Sequence, residues 1–269
     1  MTANAMPFAL DRTVVINATP ETVFRFFTDS ARWSKWWGAG STVDATPGGK
    51  VYIRHPDGTE AAGAVIEVVP HRQFVFTMGF VSGKPIPVGS SRVTIRLEPE
   101  RGGTRLSLHH DLPDAAVRDE HVQGWRFQLS LFANVVSDEV NAEASGIADA
   151  WFDAWAEPDA GKRDATLARI ASPEVRFQDR FSNLDGLMDL LPHIAAAQHC
   201  MPGMRMRRDG AIRHCQGMAL CDWVMSSADG QQRGRGTNAF LFGPTGRIEW
   251  VTGFWTPPPP TAPPTSPPA

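Results

Sequence analysis

Alternating apolar and polar positions dominate the first half of the chain. Five segments alternate in this way, which is typical of half-buried β-strands: 8–16, 60–69, 73–78, 90–97 and 104–110. Gly-Gly and Asp-Gly pairs at 48–49, 57–58 and 102–103 predict turns. Thr19-Pro20 predicts a helix start, because a hydroxyl caps the free amides and proline suits the first helical position. The segment 80–88, FVSGKPIPV, predicts a loop that could gate a cavity.

From Pro113 the apolar period becomes that of a helix. One stripe holds Val117, His121, Trp125, Phe132, Val136 and Val140. A long helix with one apolar face has to lie across a sheet to bury that face. The first half therefore predicts an antiparallel sheet wrapped around a C-terminal helix, which leaves an apolar cavity.

The second half reverses this order, with helices before strands. Helices are predicted around Trp151, Phe152 and Trp155, at 160–171 and at 184–199, and strands at 174–179, 204–208, 218–225, 234–242 and 247–255. Thr256–Ala269 contains eight prolines and predicts a disordered or polyproline-like tail. The two halves are joined near Asn141–Gly146, either by a linker or by a helix that continues from one half into the other. The chain as a whole thus predicts two α+β domains, at 8–140 and 145–255.

Composition narrows the function classes. Nine Trp and fifteen Phe against one Tyr suit apolar cores and cavities. A net charge of −3 without a Lys/Arg run argues against nucleic acid as a partner. There is no apolar run that could span a bilayer, and the N-terminus lacks a secretory pattern. Three cysteines without a CxxC pair indicate reduced thiols and a cytoplasmic protein.

The first half resembles the activator of heat-shock protein 90 ATPase homologue family, within the START-like (SRPBCC) superfamily. The resemblance covers almost all of residues 8–140. It is carried by Thr19 to Phe24, Arg32-Trp33, Trp36-Trp37, Gly48-Gly49, Asp57-Gly58, Gly63, Gly102 to Leu106, Gly124-Trp125, Leu129 and Phe132. It implies a helix-grip fold with a cavity for hydrophobic ligands, in some members with cyclase or aromatase chemistry. The domain that drives the ATPase in the co-chaperone of this family has no counterpart in this sequence.

The second half resembles the SnoaL-like group of the nuclear transport factor 2-like superfamily, over nearly all of 145–255. The residues that carry it include Trp151-Phe152, Trp155, Val175 to Asp179, Asp185-Gly186, His193-Ile194, Pro202-Gly203, Trp223, Gly236 to Asn238, Gly246 to Ile248 and Gly253 to Trp255. The resemblance implies a cone-shaped α+β barrel. Members of that superfamily include steroid isomerases, polyketide cyclases, epoxide hydrolases and domains without catalysis.

Asp179 is the main catalytic candidate, and its role is implied by the second resemblance. It ends a strand at the position where isomerase-like members keep a proton-abstracting aspartate. An apolar pocket destabilises a charged carboxylate, which suits it to exchange a proton beside a carbonyl group. Trp151 and Asn238 match the positions that donate hydrogen bonds to the developing enolate oxygen. The alternative for Asp179 is a surface carboxylate paired with Arg176 or Arg180.

Aromatic residues are the candidates for ligand binding. Trp33, Trp36, Trp37 and Trp125 are predicted to line the first cavity, with plain core packing as the alternative. Trp223 and Phe254 are the corresponding candidates in the second domain. The histidines and cysteines do not show the close repeats of a zinc site, so neither a metal nor a cofactor is expected.

The leading functional hypothesis is a protein with two cavity domains that binds a small lipophilic molecule. Proton transfer at Asp179, of a cyclase or isomerase kind, would add an enzymatic activity. The alternative is a non-enzymatic co-chaperone or stress-response protein whose partner is a chaperone. A homodimer through the sheet of the second domain is compatible with both hypotheses.

Overall fold

A computed structural model describes residues 6–256 and separates them into two compact units. The first is built mainly from residues 6–142 and the second mainly from residues 143–256. Both combine helices with a mainly antiparallel sheet, which confirms the predicted α+β fold class. The proline-rich segment 257–269, predicted to be disordered, lies outside the described residues.

The first unit is a sheet with a long helix at its C-terminal end. In chain order its elements are β1 (Phe8–Ile16), α1 (Pro20–Thr28), α2 (Ser30–Trp37), β2 (Thr42–Val43), β3 (Lys50–Arg54), β4 (Glu60–Val69), β5 (Gln73–Phe80), β6 (Ser91–Glu100), β7 (Gly103–Leu112) and α3 (Ala115–Val140). The strands are antiparallel in the order β1-β7-β6-β5-β4-β3-β2. This is the helix-grip arrangement that the sequence predicted.

Local signals in the sequence set the helix boundaries of this unit. Thr19 accepts a hydrogen bond from the Thr22 amide and Pro20 follows as the first helical residue, as predicted. Asp114 caps α3 by accepting from the amides of Ala116 and Val117. The apolar stripe of α3 packs against β1 and β7. Residues 81–90 form no strand, which confirms the predicted loop.

The second unit begins with helices and continues with a curved sheet. Its elements are α4 (Ala144–Ala156), α5 (Ala160–Ile170), β8 (Ala171–Gln178), β9 (Asn183–Asp185), α6 (Leu187–Cys200), β10 (Arg205–Arg208), β11 (Arg213–Cys215), β12 (Met218–Ser226), β13 (Gln232–Phe242) and β14 (Ile248–Trp255). The strand order is β10-β12-β13-β14-β8-β9, and β11 pairs with β12. Strand β8 runs parallel to β14, whereas the pairs β10–β12, β12–β13, β13–β14 and β8–β9 are antiparallel.

The start of α6 differs from the prediction. The apolar pattern predicted a helix from Leu184, but residues 183–185 pair with β8 as strand β9. Gly186 then adopts a φ of 80° and donates its amide to the Val175 carbonyl at 2.8 Å. A positive φ is left-handed backbone that a right-handed helix cannot contain. The helix therefore begins at Leu187.

Candidate functional site

A cavity of about 630 Å³ lies in the first unit, between the end of α2, the middle of α3 and the end of β5. Most of its wall is aromatic or aliphatic, and the loop 81–90 contributes Pro85. The lining residues used below are Lys35, Trp36, Trp37, His55, Asp57, Glu120, His121, Trp125 and Gln128. This volume is within the range of roughly 300–1,000 Å³ that small-molecule pockets occupy.

Three of the four tryptophans predicted for this cavity line it. Trp36, Trp37 and Trp125 form part of the wall, and the rings of Trp36 and Trp37 lie 4.3 Å apart. Trp33 does not line it: its ring is enclosed in the core, and its indole nitrogen donates to the Tyr52 carbonyl at 3.2 Å. Residues on one short helix thus divide between core and cavity.

A buried hydrogen-bond chain fixes the ring of Trp125. Its indole N–H donates to His110 Nδ1 at 2.9 Å, so the proton of this imidazole is on Nε2. Nε2 donates to the Ser91 hydroxyl at 2.8 Å, and that hydroxyl donates to the Met78 carbonyl at 2.9 Å. Burial lowers the pKa of His110 to about 3, so the imidazole is neutral at physiological pH.

Two other polar atoms of the wall are buried without a hydrogen-bond partner in the protein. They are Nε1 of Trp37 and Nε2 of His121. His121 Nδ1 lies 2.7 Å from the Val117 carbonyl, which can only accept, so Nδ1 carries the proton and Nε2 is a free acceptor. Trp37 therefore has one unused donor and His121 one unused acceptor, both covered by neighbouring atoms.

Burial favours the neutral form of His110 and His55 near the cavity, and the charged side chains lie at its rim. Burial lowers the pKa of His55, whose ring lies edge-on to Trp37 at 5.6 Å. Lys35 is half-exposed and pairs with Glu139 at 2.8 Å. Asp57 and Glu120 are exposed. The wall consequently favours a ligand with an uncharged body, since an unpaired charge would be costly to bury.

The role of His110 as the partner of Trp125 was missed by the sequence analysis. The signal is a break in an alternating pattern: Leu106, Leu108 and Leu112 face inward from β7, and His110 occupies the inward position between them. A histidine at such a position needs a buried partner, because an unpaired polar group in a core is costly. Trp125, on α3, is that partner.

In the second unit, Asp179 and Asn238 lie on either side of Gly253. A β-carbon added to Gly253 would lie 3.2 Å from Asp179 Cβ and 3.3 Å from Asn238 Oδ1. This neighbourhood arises because β14 pairs with β13 on one side and with β8 on the other. The structure thus brings together two of the three residues predicted for proton transfer.

Both of these side chains are already hydrogen-bonded. Asp179 accepts from the Phe181 amide at 2.8 Å and from the Trp255 indole at 3.1 Å. Asn238 is buried and its oxygen accepts from the Trp223 indole at 2.9 Å. The contact with Phe181 and the bond from the Asp179 amide to the Ser182 carbonyl place the carboxylate in the turn between β8 and β9.

Trp223 and Trp255 pack edge to face, with ring centroids 5.0 Å apart. Gly236 lies against Trp223: an added β-carbon would lie 2.6 Å from Cζ2 of that ring. Gly234 lies against Trp255 in the same way, at 3.1 Å from Cζ3. The Gly-Arg-Gly sequence at 234–236 therefore makes room for two indoles.

The remaining predicted residues of the second unit are elsewhere. Trp151 is fully buried among Phe177 and Phe240, with ring distances of 5.9 and 6.1 Å. Phe254 is 58% exposed on the outer face of the sheet, where Leu220 is also exposed. This is the face that the predicted homodimer would use.

A second cavity, of about 350 Å³, lies in the second unit at the ends of α4 and α6. Neither Asp179 nor Asn238 lines it. Its wall contains Trp155, Ala156, Pro158, Ala197, Gln198, Met201, Pro202, Gly203, Met204, Arg205, Met206 and Met225. This site was not predicted from the sequence.

Three further observations concern metal ions, cysteines and membrane spans. Within residues 6–256, no group of three or more His, Cys, Asp or Glu side chains is arranged to hold a metal ion. Cys200 and Cys215 are exposed and Cys221 is buried, all as free thiols. None of the helices in the described part of the chain has the length and apolar character needed to cross a membrane.

Comparison with known proteins identifies the first unit. A family model described as activator of Hsp90 ATPase homolog 1-like protein matches residues 17–137. No curated protein sequence matches the chain significantly.

Among solved structures, an AHSA1-like protein from Rhizobium etli is 32% identical, over 49% of this chain and 84% of that chain, with a TM-score of 0.41. A putative isomerase of the SnoaL-like family from Agrobacterium tumefaciens is 26% identical, over 42% of this chain and 96% of that chain, with a TM-score of 0.40. The Aha1 dimer from Colwellia psychrerythraea is 18% identical, over 46% of this chain and 92% of that chain, with a TM-score of 0.40. Residues 17–137 thus match the family model of activator of Hsp90 ATPase homolog 1-like proteins, in agreement with the resemblance stated for the first half of the sequence.

Proposed function

We propose that this protein binds a small, uncharged, hydrophobic molecule in the cavity of its first unit. The observation that carries the proposal is a cavity of about 630 Å³ with a largely apolar wall. Two residues of that wall, Trp37 and His121, each have a buried polar atom without a partner, which a ligand can reach once the side chain turns towards the cavity. A buried polar atom that stays unpaired costs about 1–3 kcal/mol, so an occupant that pairs with it gains affinity.

The two unpartnered atoms suggest which polar groups the ligand carries. Trp37 Nε1 is a donor and needs an oxygen or nitrogen acceptor. His121 Nε2 is an acceptor and needs a hydroxyl or amine donor. A hydroxyl group can satisfy either atom, and an aromatic alcohol adds a flat apolar body that suits the indole rings of Trp36 and Trp125.

Calorimetric titration of the whole chain with β-naphthol, and with naphthalene as the ligand without a hydroxyl, tests this proposal. We expect β-naphthol to bind at least fivefold more tightly, and Trp37→Phe or His121→Phe to reduce that preference. Trp250→Phe is the control, because Trp250 belongs to the second unit and stacks on Arg176. Equal affinity for the two compounds, or a preference that survives both substitutions, contradicts the proposal.

The natural ligand can be sought directly. Mass spectrometry under denaturing conditions, on protein purified gently from its own host, would detect a stoichiometric hydrophobic compound. Such a compound should be lost from the Trp37→Phe and His121→Phe variants and retained by Trp250→Phe.

A second candidate function is the co-chaperone role, and the family match over residues 17–137 favours it. The test is the ATPase rate of the host's heat-shock protein 90 with and without the purified chain. A concentration-dependent increase in that rate would support the co-chaperone role. An unchanged rate, together with a co-purified ligand, would leave ligand binding as the function.

A further inference from the structure

Gln128 is a polar residue on the buried face of α3, between Trp125 and Phe132. It is 8% exposed and lines the cavity of the first unit. A helix face that packs on a core usually carries apolar residues, and burying a side-chain amide is costly unless its atoms are hydrogen-bonded. Both polar atoms of this amide therefore need partners.

The NH2 group of Gln128 has its partner in the protein. It donates to the backbone carbonyl of Trp36. Trp36 belongs to the last turn of α2, where carbonyl groups have no partner within the helix. Because a carbonyl can only accept, this contact places Nε2 towards α2 and leaves Oε1 on the other side of the amide.

The oxygen of the same amide has no such partner. Within residues 6–256, no donor is bonded to Gln128 Oε1. Trp37 Nε1 and His121 Nε2 are unpaired and fully covered, whereas Gln128 Oε1 is unpaired without being fully covered. Because Gln128 lines the cavity, its oxygen is an acceptor that an occupant can reach without the turning of a side chain.

We propose that Gln128 Oε1 selects the ligand of this cavity by accepting a hydrogen bond from it. The inference rests on the ligand binding proposed above, and it narrows the ligand class to neutral aromatic compounds that carry a hydroxyl or an N–H group. A ligand without a donor would remove water from the oxygen and leave it unpaired, which lowers the affinity. The indole rings of Trp36 and Trp125, on the same wall, suit the aromatic body of such a ligand.

The test compares two ligands that differ in one donor, by calorimetric titration of the whole chain. β-Naphthol carries a hydroxyl group, whereas 2-methoxynaphthalene keeps the ring system and an oxygen with which Trp37 can pair, but cannot donate. The measured quantity is the donor preference, which is the dissociation constant of 2-methoxynaphthalene divided by that of β-naphthol. We expect a donor preference of about fivefold in the unmodified chain, since one net hydrogen bond is worth roughly that factor.

Two variants of Gln128 separate ligand recognition from the bond to Trp36. Gln128→Leu has no acceptor, so it should remove the donor preference without weakening 2-methoxynaphthalene. A role only in holding Trp36 would weaken both ligands equally and leave the donor preference unchanged. Gln128→Glu keeps an oxygen acceptor and should keep the donor preference.

Gln73→Leu is the control for these variants. Gln73 belongs to the same unit but does not line this cavity, and its side chain pairs with Glu67 and Arg96. This substitution should leave both affinities unchanged.

Equal affinities for the two ligands, or a donor preference that Gln128→Leu retains, would overturn this inference and leave ligand binding in the cavity standing. A donor preference that is lost in His121→Phe but kept in Gln128→Leu would assign the contact to His121 and refute the role of Gln128. Failure of both ligands to bind would instead count against the proposed function itself.

If Gln128→Leu does not fold, nuclear magnetic resonance of the unmodified chain decides. Two-dimensional proton–nitrogen spectra of the isotope-labelled chain report the NH2 group of Gln128, whose peaks are assigned by their absence in Gln128→Glu. At saturation, β-naphthol should shift these peaks more than 2-methoxynaphthalene does, because a hydrogen bond to Oε1 polarises the whole amide. Equal shifts would refute the role of Gln128.

Discussion

The hydrogen bond from Trp125 to His110 offers a sharp test of how the first cavity is stabilised. Trp125→Phe removes the indole N–H and leaves His110 Nδ1 without its donor. His110 is fully buried, and its other nitrogen is held by Ser91, so the ring cannot turn without breaking a second bond. The variant therefore leaves an unpaired acceptor in the core.

Trp37→Phe is a closely matched control. Trp37 and Trp125 line the same cavity, are 4% and 3% exposed, and lose the same atoms on substitution by phenylalanine. They differ in one respect, because the Trp37 N–H has no partner to lose. The cost of the smaller ring should largely cancel between the two variants. Trp125→Phe creates an unpaired His110 Nδ1, and Trp37→Phe removes an unpaired N–H, so both effects act in the same direction. Trp125→Phe should then be less stable than Trp37→Phe by at least about 1–3 kcal/mol.

The free energy of unfolding of the first unit can be read from amide hydrogen exchange, followed by mass spectrometry on peptides from β6 and β7. This readout separates the first unit from the second, which urea unfolding of the whole chain would not do. We expect the β7 peptides of Trp125→Phe to exchange faster than those of Trp37→Phe. Unfolding free energies that agree within about 0.5 kcal/mol would refute the reasoning.

Three further predictions follow from the structure. Asp11 lies 2.8 Å from His109 and raises the pKa of that histidine above its ordinary value of 6.5. The pair therefore stabilises the fold fully below that value, and less as the pH rises through the folded-state pKa. In Asp11→Asn, an NMR titration of His109 should show a lower pKa, and an unchanged pKa would contradict this. Gly236→Ala should destabilise the second unit by about 1–3 kcal/mol, because the new methyl group would meet the backbone carbonyl of Phe254 and the Trp223 ring. Hydrogen exchange in β13 measures this, and unchanged exchange would contradict it. If Asp179 transfers protons, Asp179→Asn should abolish any deuterium exchange that the chain catalyses at the α-carbon of a small ketone such as cyclohexanone. Stability should stay similar, since asparagine still offers an oxygen to its neighbours, and catalysed exchange that persists would rule the role out.

Much of the fold could be predicted from the sequence because its signals are local. The period of two in 104–110 predicted β7, and the period of the apolar stripe after Pro113 predicted α3. The Thr19-Pro20 pair marked the start of α1 correctly. Each of these signals depends on residues within one or two turns of each other. The predicted start of α6 was wrong, because the backbone groups of residues 183–185 form hydrogen bonds with strand β8 rather than within a helix.

The candidate sites could be predicted only in part. The position of aromatic residues near a predicted cavity correctly identified Trp36, Trp37 and Trp125 as lining residues. The same pattern also includes Trp33, whose side chain is buried in the core. The methionine-lined cavity was missed because Met206 and Met225 are brought together by strand pairing across 19 positions of the chain. The neighbourhood of Asp179 and Asn238 likewise depends on the pairing of β14 with two different strands.

The sequence by itself determined the elements, their order and the α+β class, because periodicity, helix caps and turn residues act over a few positions. Only the tertiary structure decided which polar atoms have partners: Trp125 Nε1 meets His110, whereas Trp37 Nε1 and Trp155 Nε1 meet none. The physical reason is that a buried hydrogen bond requires two groups from distant segments to lie about 3 Å apart in the right direction. That condition is set by strand register and helix packing, which local patterns do not encode.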